Sequence, residues 1–496
     1  MTKGAVAAGH PLVVEAGLSA MRAGGTAVDA AISAMFTSCV AEPLLTGLLG
    51  GGIATIRMNG VVEVCDFFSR APGCASKSTE ALPMERVELD FGPTTQTFRV
   101  GGGSVAVPGM PNGIIAMHAR YGRLPLERLV APAVEAAHQG VMVTAGFARV
   151  NRLLWPILKR NPEIVSLFAR DGQPLAEGDV FRCPELGDTL ALFADEGLAA
   201  FTEGDLGQGL LDCLGAGSLL SREDLQESRA RFLEPLEVPY RNATVWLAGP
   251  PSVGGMLVAK SIRHVERSAP LRDPLSAPSL GVLAEALREA ERVLGPEFYR
   301  DMFGQGFVEQ FSGSGSAGYT THLSVVDESG NAVAVTSSLG ETAGIVVPGT
   351  GLLANNFLGE EDVNPSGLPW KGGKRLVTMC CPTLLEHDGW VIAMGSGGSS
   401  RIRSAVLHGV IFLVDGEMPA AEAVRAPRVH VDSGVVRFEA ESRANGVVEA
   451  VEARYPDAVR FEELGMYFGG LHLVGGRLGD FAGAGDPRRS GAFGKI

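Results

Sequence analysis

Strand-like segments of this sequence are joined to one another by tight turns rather than by helices. Residues 53–57 and 61–68 flank Asn59-Gly60, and residues 321–327 and 331–337 form a second pair of this kind. Asn-Gly favours the two-residue turns that connect neighbouring antiparallel strands. Because helical patterns occur outside these hairpins, we predict an α/β (α+β) fold of two stacked, mainly antiparallel sheets between helices.

The charge balance and the hydropathy pattern exclude several classes of partner. The chain has 56 Asp and Glu against 42 Lys and Arg, a formal net charge of −14. Such an excess of carboxylates opposes contact with nucleic acid or an anionic membrane surface, so we expect neither partner. No segment has 18 uninterrupted apolar residues, and the first 25 residues contain no continuous apolar core of a signal peptide. We therefore expect no membrane span and a cytoplasmic location.

Cysteine and histidine spacing gives no metal signature. The seven cysteines are an odd number without a CxxC pair, and the nine histidines include no HExxH pattern. Both observations argue against a disulfide framework and a zinc site. The glycine-rich stretches lack the GK[ST] of a phosphate-binding loop. We expect neither a metal ion nor a cofactor.

A run of small and polar residues, SGSGSAG at 312–318, ends abruptly at Tyr319-Thr320, where a strand pattern begins. Two interpretations are open at this point. The run is either a linker that meets an edge strand, or the donor side of a self-cleavage site between Tyr319 and Thr320. Cleavage there would give Thr320 a free α-amine with a pKa of about 7.7–8.0. That amine is able to act as the general base for the hydroxyl of the same residue.

Many motifs occur in an order that resembles the γ-glutamyltransferase (γ-glutamyltranspeptidase) family. The segment TTHLSVVDESGNAVAVT, which starts at Thr320, resembles the start of the small subunit of that family. The other matching segments are residues 24–31 (GGTAVDAA), 47–52, 107–109, 121–125, 250–255, 355–356, 382–383, 395–401 (GSGGSSR), 426–428 and 486–488. The resemblance implies a four-layer N-terminal-nucleophile hydrolase sandwich. It also implies a precursor that cuts itself into residues 1–319 and 320–496, which stay together as one folded unit.

The resemblance also assigns catalytic roles. It implies that Thr320 is the nucleophile and that Ser338 supplies a hydroxyl that hydrogen-bonds it. Gly398 and Ser399 match the two residues whose backbone N–H groups form the oxyanion hole. The glycines of GSGGSS independently permit a turn that directs amides at one point, although an ordinary tight turn has the same composition. We interpret His322, two residues after the nucleophile, as a structural or a supporting residue.

The residues that hold the substrate in the family are changed in this chain. The arginine that binds the α-carboxylate of a γ-glutamyl donor is replaced by Phe68, and Arg70 follows two residues later. The remaining positions of that carboxylate site hold Gly340, Thr378 and Met379. Glu360 matches the acidic residue that takes the donor's amino group, although a solvated acidic loop explains it equally well. The chemistry is thus expected to be retained while the recognition of glutamate is altered.

We therefore predict a self-processing amidohydrolase or acyltransferase that forms an acyl-enzyme on Thr320. Water or an amine would accept the acyl group, and γ-glutamyl amides such as glutathione are the default donors in the family. One alternative is a relative with a changed pocket that hydrolyses another acyl amide or a C–C bond beside a ketone. The other alternative is an unprocessed homologue that serves as a binding or structural protein.

Overall fold

The computed structural model describes residues 1–74, 82, 84–91, 95–292, 294–303, 320–360, 363, 372–441 and 446–496. Two antiparallel sheets form its centre. The first sheet has seven strands in the order β10-β3-β2-β14-β13-β1-β24. In chain order these strands are β1 (Gly4–Ala8), β2 (Gly51–Met58), β3 (Val61–Phe67), β10 (Arg231–Leu233), β13 (Thr321–Asp327), β14 (Ala332–Ser338) and β24 (Ala492–Lys495).

The second sheet has six strands in the order β11-β12-β17-β18-β22-β23. These strands are β11 (Leu236–Tyr240), β12 (Ala243–Leu247), β17 (Thr383–His387), β18 (Trp390–Gly397), β22 (Gly470–Arg477) and β23 (Asp480–Ala484). The smaller sheets pair β4 (Glu85–Asp90) with β5 (Thr95–Val100), β6 (Val141–Met142) with β9 (Val180–Phe181), β7 (Ala169–Arg170) with β8 (Gln173–Pro174), β15 (Val346–Val347) with β16 (Leu352–Leu353), and β20 (Val435–Glu439) with β19 (Val429–Asp432) and β21 (Val459–Phe461).

Helices cover the outer faces of both sheets. Those of the first half are α1 (Pro11–Arg22), α2 (Ala27–Ala41), α3 (Met110–Tyr121), α4 (Leu126–Gln139), α5 (Ala145–Leu158), α6 (Pro162–Phe168), α7 (Pro184–Glu196), α8 (Ala199–Thr202), α9 (Asp205–Leu214) and α10 (Arg222–Glu227). Those of the second half are α11 (Val253–Glu266), α12 (Ala277–Glu291), α13 (Pro296–Asp301), α14 (Arg401–Val414), α15 (Ala420–Arg425) and α16 (Val447–Arg454). None of the helices in these ranges is long and apolar enough to cross a membrane.

The predicted four-layer arrangement is confirmed. Helices α1 and α2 pack on the first sheet, α11 and α14 pack on the second, and the inner faces of the two sheets contact each other. The layer between the sheets is rich in alanine, including Ala5, Ala7, Ala332, Ala334 and Ala393. Small side chains allow the two sheets to approach closely while apolar surface is still removed from water.

The predicted hairpins form with their turns at the expected residues. Strands β2 and β3 are paired in register, and both Asn59 and Gly60 at their turn have positive φ angles, 52° and 84°. A turn with two positive φ angles matches the right-handed twist of the strands that it joins. Strands β13 and β14 pair in the same antiparallel way, with Thr321 opposite Ser337.

Helix α14 is not expected from the sequence. Beyond residue 320 the sequence predicts a helix only at residues 418–425, yet α14 fills residues 401–414 and 13 of its residues are buried. A helix that is buried on all sides carries no polar stripe, so hydrophobic periodicity does not reveal it. Two other helices begin earlier than their patterns predict: α11 starts at Val253 inside the Pro/Gly turn pattern of residues 249–255, and α12 starts six residues before the amphipathic segment at Leu283.

A buried network of ion pairs fixes the turn that follows β23. Arg428 lies 2.6 Å from Asp486, and Arg488 lies 2.6 Å from Glu439; all four side chains are almost completely buried. Asp486 also accepts a hydrogen bond of 2.9 Å from the backbone N–H of Leu471 on β22. The turn is therefore attached to the second sheet and to the β20 hairpin.

The ion network generates a prediction for stability. Burial alone would raise the pKa of Asp486, but Arg428 and Arg488 outweigh it and lower that pKa to about 2. Asp486→Asn leaves two buried guanidinium groups with less negative charge, so we expect a loss of about 3 kcal/mol in the free energy of unfolding at pH 7. Urea unfolding measures this change, and the exposed Asp480→Asn is the control.

The same variant should show a defined pH dependence. A carboxyl with a lowered pKa stabilises the fold above its unfolded pKa, about 3.9, and loses that contribution as the pH falls through its folded value. The stability gap between wild type and Asp486→Asn should therefore be largest near neutral pH and shrink below pH 4. If the difference in unfolding free energy between wild type and Asp486→Asn were the same near pH 7 and below pH 4, Asp486 would not be the charged group that stabilises this turn.

Candidate active site

Thr320 precedes β13 near the middle of the first sheet and is only 4% exposed. Because Thr321 pairs with Ser337, Thr320 lies beside Ser338 at the end of β14, and Ser338 in turn pairs with Gly51. Alternation along the strands puts Thr320, Ser338 and Gly51 on the face that points to the second sheet. The other residue of the predicted cleavage site, Tyr319, lies outside the described residues.

The GSGGSS turn at the end of β18 lies directly against Thr320. A methyl group on the Cα atom of Gly397 would overlap the carbonyl oxygen of Thr320, so only glycine permits this approach. The next two residues both have positive φ angles, 115° at Gly398 and 55° at Ser399. Consecutive amides in such a turn form a concave set of donors, and here the turn leads into the N-terminus of α14. This is the arrangement that an oxyanion hole requires.

Arg489 also holds this carbonyl. Its Nη1 donates a hydrogen bond of 3.3 Å to the Thr320 oxygen. Arg489 belongs to the turn that the ion network fixes after β23. The sequence does not single out this residue, because a tandem Arg after Asp-Pro does not reveal which strand the second guanidinium contacts.

Ser338 and His322 have clearly defined partners. The hydroxyl of Ser338 accepts a 3.0 Å hydrogen bond from the backbone N–H of Gly340. The ring of His322 is hydrogen-bonded to Thr336 at 2.8 Å and to Ser324 at 2.9 Å. Burial, together with the nearby His472, lowers the pKa of His322 well below its usual value, so the ring is neutral. These contacts agree with a structural role for His322.

Gly340 lies at a crowded point next to Glu360. Its φ angle is +70°, and a methyl group there would overlap Oδ1 of Asn356 and Oε1 of Glu360. Glu360 is buried, with 3% exposure, and is not part of a solvated loop. Asn356 Oδ1 also accepts a 2.8 Å hydrogen bond from the N–H of Glu341. The space that an asparagine at position 340 would need is thus taken by two neighbouring side chains.

Thr378 and Met379 take different directions from the segment before β17. The hydroxyl of Thr378 accepts a 3.1 Å hydrogen bond from the N–H of Cys380, and the charge of Glu360 acts on the thiol of that same Cys380. Met379 instead belongs to the apolar core of the second sheet and packs with α11 at Gly254. Thr378 is therefore close to the Glu360 side of the site, while Met379 supports it from behind.

Phe68 and Arg70 also diverge. Phe68 packs in an apolar cluster on the Thr320 face of the sheet, with its ring centroid 4.9 Å from that of Phe357. Strand β3 ends at Phe67, and the partly exposed Arg70 directs Nη1 towards the carbonyl of Glu227 at 3.5 Å. Two residues that are two positions apart on one strand face the same side of the sheet. Phe68 and Arg70 do not, because β3 has already ended at Phe67.

Another arginine lies closer to Phe68. Arg375 donates a 2.8 Å hydrogen bond to the carbonyl of Phe68 and lies 3.1 Å from buried Asp66. The charge of Arg375 is thus already compensated within the fold. Nothing in the sequence distinguishes this buried Arg from the other basic residues of the chain.

The structure brings together Thr320, Ser338, Gly398 and Ser399, with Gly340, Glu360 and Thr378 adjoining them. Phe68 and Met379 are core residues at its border, and Arg70 is directed away. Within the described ranges, no three His, Cys, Asp or Glu side chains lie close enough together to hold a metal ion. Two neighbouring hydroxyl side chains beside a turn of backbone amides are groups that acyl transfer uses.

Comparison with known proteins agrees with this class. The profile of the Gamma-glutamyltranspeptidase family matches residues 14–295 and 296–496. The Acylase ACY 1 proenzyme of Pseudomonas sp. (strain V22) is 31% identical over 95% of this chain and 90% of its own length. The Glutathione hydrolase proenzyme of Escherichia coli (strain K12) is 27% identical over 98% of this chain and 90% of its own length.

A solved structure shares the whole fold. The cephalosporin acylase from Bacillus halodurans superposes with a TM-score of 0.82 at 23% identity, covering 99% of this chain and 96% of that one. Together these findings show that the chain belongs to the γ-glutamyltranspeptidase family of N-terminal-nucleophile hydrolases. It is accordingly a hydrolase or acyltransferase.

The crowding at Gly340 generates a prediction with a matched control. Gly340→Ala and Gly349→Ala both place a side chain at a φ near +70°, but only the first meets other atoms, since nothing lies within 4 Å of the second. Both variants should lose about 1 kcal/mol from backbone strain. Gly340→Ala should lose at least about 2 kcal/mol more, because Asn356 and Glu360 must move. Urea unfolding measures both, and equal losses would contradict the crowding.

Proposed function

We propose that this chain is a self-processing acylase in which Thr320 is the catalytic nucleophile. The observation that carries the proposal is the contact between Thr320 and the Gly397–Ser399 turn, which sets a hydroxyl residue beside a concave row of amides. Ser338 on the neighbouring strand supplies a second hydroxyl next to Thr320. Few arrangements other than acyl transfer use these groups together.

The proposed first step is cleavage of the bond between Tyr319 and Thr320, which frees the Thr320 α-amine. That amine then takes the proton from Oγ1 of Thr320 as the oxygen attacks the carbonyl carbon of an amide substrate. The N–H groups of Gly398 and Ser399 stabilise the negative oxygen of the tetrahedral intermediate. The α-ammonium returns the proton to the leaving amine, and a Thr320 ester remains.

Water or an amine completes the cycle. The α-amine removes a proton from the acceptor as it attacks the ester carbonyl, and the α-ammonium returns this proton to Oγ1 as the second intermediate collapses and the bond to Oγ1 breaks. In this proposal the hydroxyl of Ser338, which accepts a hydrogen bond from Gly340 N–H, donates a hydrogen bond to Oγ1 of Thr320. All the groups in this cycle come from the chain itself, so we propose that no cofactor takes part.

The sheet topology supports the proposed division into residues 1–319 and 320–496. Strands β13 and β14 of the smaller chain lie between β1 and β2 of the larger chain, and β24 is the edge strand beside β1. The second sheet also combines strands from both parts, because β12 pairs with β17. Two chains that share both sheets stay together after the connecting bond is cut.

We further propose that the preferred acyl donor lacks the α-carboxylate of a γ-glutamyl group. Phe68, Phe357 and Leu376 form an apolar border where a guanidinium would be needed. An unpaired carboxylate beside such a border would cost several kcal/mol. The two Pseudomonas relatives named Acylase ACY 1 proenzyme are 31% and 30% identical to this chain, against 27% for the Escherichia coli glutathione hydrolase, which also favours an acylase.

Self-processing gives the first test of this function. Purified wild-type protein should contain two chains whose masses correspond to residues 1–319 and 320–496. Thr320→Ala should remain one inactive chain near 51.8 kDa, because the attacking hydroxyl is gone. Thr320→Ser keeps a hydroxyl and should still be cut, more slowly.

Intact-mass spectrometry after purification distinguishes these species. Cleavage of Thr320→Ala at the same bond would show that Thr320 does not process the chain. A wild-type chain that stays whole and inactive would favour the non-catalytic homologue instead.

Substrate preference is tested with four p-nitroanilides that differ by one charged group at a time: butyryl, glutaryl, 4-aminobutyryl and γ-glutamyl. Adding the carboxylate, from butyryl to glutaryl or from 4-aminobutyryl to γ-glutamyl, should lower kcat/KM by roughly 10²-fold, equivalent to about 3 kcal/mol. Adding the ammonium should be tolerated or favoured through Glu360, and Glu360→Gln should remove that advantage. The measurement is the initial rate of p-nitroaniline release.

A wild type that prefers the γ-glutamyl compound over the other three would contradict the altered pocket. In that event Arg70→Ala becomes the informative variant, because Arg70 lies two residues from Phe68 in sequence, whereas Arg375 is already paired with Asp66. A selective loss of γ-glutamyl activity in Arg70→Ala would identify it as the replacement clamp.

A further inference from the structure

A buried carboxyl lies immediately behind the nucleophile. Glu42 follows the last residue of α2, and its Oε1 accepts a 2.9 Å hydrogen bond from the hydroxyl of Thr321. Thr321 is the residue after Thr320, and its side chain points to the opposite face of the sheet. The second carboxyl oxygen, Oε2, is buried and makes no hydrogen bond. The substrate site described above makes no use of this carboxyl.

Glu42 and Arg489 border the same small cavity. The cavity has a volume of about 30 Å³, enough for a water molecule, and its other walls include His10, Leu45, Phe147 and Met466. It lies on the helix side of the first sheet, away from the face that carries Thr320 and Ser338. A substrate on that face therefore does not reach it.

Glu42 and Arg489 are the charged groups of this region that bear on Thr320. Burial raises the pKa of Glu42 to about 7, although the Thr321 hydrogen bond and the charge of Arg489 oppose the rise. Burial lowers the pKa of His10, on α1, to about 4, and raises that of the Cys39 thiol, on α2, to about 12. Near neutral pH both of these side chains are uncharged. Helix α5 contributes no ionisable side chain to the cavity wall.

We propose that Glu42 is a positioning residue that acts on the nucleophile through Thr321 and Arg489. Its carboxyl holds the side chain of the residue after Thr320 and compensates the guanidinium that holds the Thr320 carbonyl. Two hydrogen bonds, from Thr321 to Glu42 and from Arg489 to the Thr320 carbonyl, hold the start of β13 in place. This inference rests on the proposal that Thr320 is the nucleophile.

The charge of Glu42 distinguishes a positioning role from a purely structural one, because only the charge affects the pKa of the Thr320 α-amine. Glu42 is negative above its pKa of about 7, and there its charge stabilises the ammonium form of the Thr320 α-amine and so holds the pKa of that amine up. Glu42→Gln keeps an acceptor for Thr321 but removes the charge. We expect the acid limb of the pH profile of kcat/KM to move to lower pH by about 0.5–1 unit. We also expect kcat to fall roughly 10-fold with KM within 2-fold, because positioning acts on the reacting atom and not on substrate binding.

The experiment compares Glu42→Gln with Glu449→Gln, an exposed carboxylate on α16 that should leave both quantities unchanged. A second variant, Gly9→Ala, keeps the carboxyl but displaces it, because a methyl group at Gly9 would overlap Oε1 of Glu42. It should also lower kcat. The rates are measured with the best of the four anilides between pH 5 and pH 9.

The pH dependence of self-cleavage is followed in parallel by intact mass. A Glu42→Gln protein with wild-type kcat and an unshifted profile would overturn the inference. So would a kcat loss without any shift in Glu42→Gln. If Glu42→Gln fails to fold, unchanged kcat in a folded Gly9→Ala decides against the inference, and a lowered kcat with unchanged KM supports it.

The experiments separate a failure of the proposed function from a failure of the proposed role of Glu42. A wild type that hydrolyses none of the anilides refutes the acylase proposal, and the inference is then judged by cleavage between Tyr319 and Thr320. Slower cleavage of Glu42→Gln than of Glu449→Gln supports it, and equal rates overturn it. A wild type that neither hydrolyses nor cuts itself overturns both.

Discussion

The backbone contact between Gly397 and the carbonyl of Thr320 is the constraint on which the site depends. It joins the end of β18 in the second sheet to the start of β13 in the first, at a separation that no residue with a Cβ atom tolerates. Because the glycine is followed by two residues with positive φ angles, the chain turns its amides toward the same point before α14 begins. The position of Thr320 relative to this turn is therefore set by backbone packing and not by flexible side chains.

The arginines near this contact explain why so much charge is buried beside it. Arg489 reaches Thr320 only because the turn that carries it is fixed by Asp486, whose carboxyl also binds β22 through Leu471 N–H. A buried ion network contributes little to stability compared with an apolar core of the same volume. Removing only one of its members is nevertheless destabilising, because a buried charge then stays without a partner. Its value here is geometric: it holds the guanidinium of Arg489 at a defined place next to Thr320.

The sequence predicted those parts of the fold that depend on local signals. Asn59-Gly60 predicts a hairpin because both residues accept positive φ, and the ordered motifs predicted the place of Thr320, Ser338 and the GSGGSS turn. Helix α14 was missed because its buried surface extends around the whole helix. Glu42 was missed for another reason: its partner Thr321 is 279 residues away, and a single carboxylate before a proline resembles any loop residue. Contacts of that kind depend on tertiary packing, which residue patterns do not encode.

Neighbouring side chains block a return to the family's residues at the changed substrate positions. This crowding is the physical support for the proposed change in specificity. Restoring a guanidinium at position 68 would bury it in a cluster with Phe357, while the nearest acid, Asp66, already pairs with Arg375. Restoring an asparagine at position 340 would collide with Asn356 and Glu360. Since each replacement is blocked by a different neighbour, no single substitution recreates a carboxylate site. A pocket built in this way fits the proposed donor, whose acyl group is apolar or carries a positive charge, because the buried carboxyl of Glu360 lies next to Gly340.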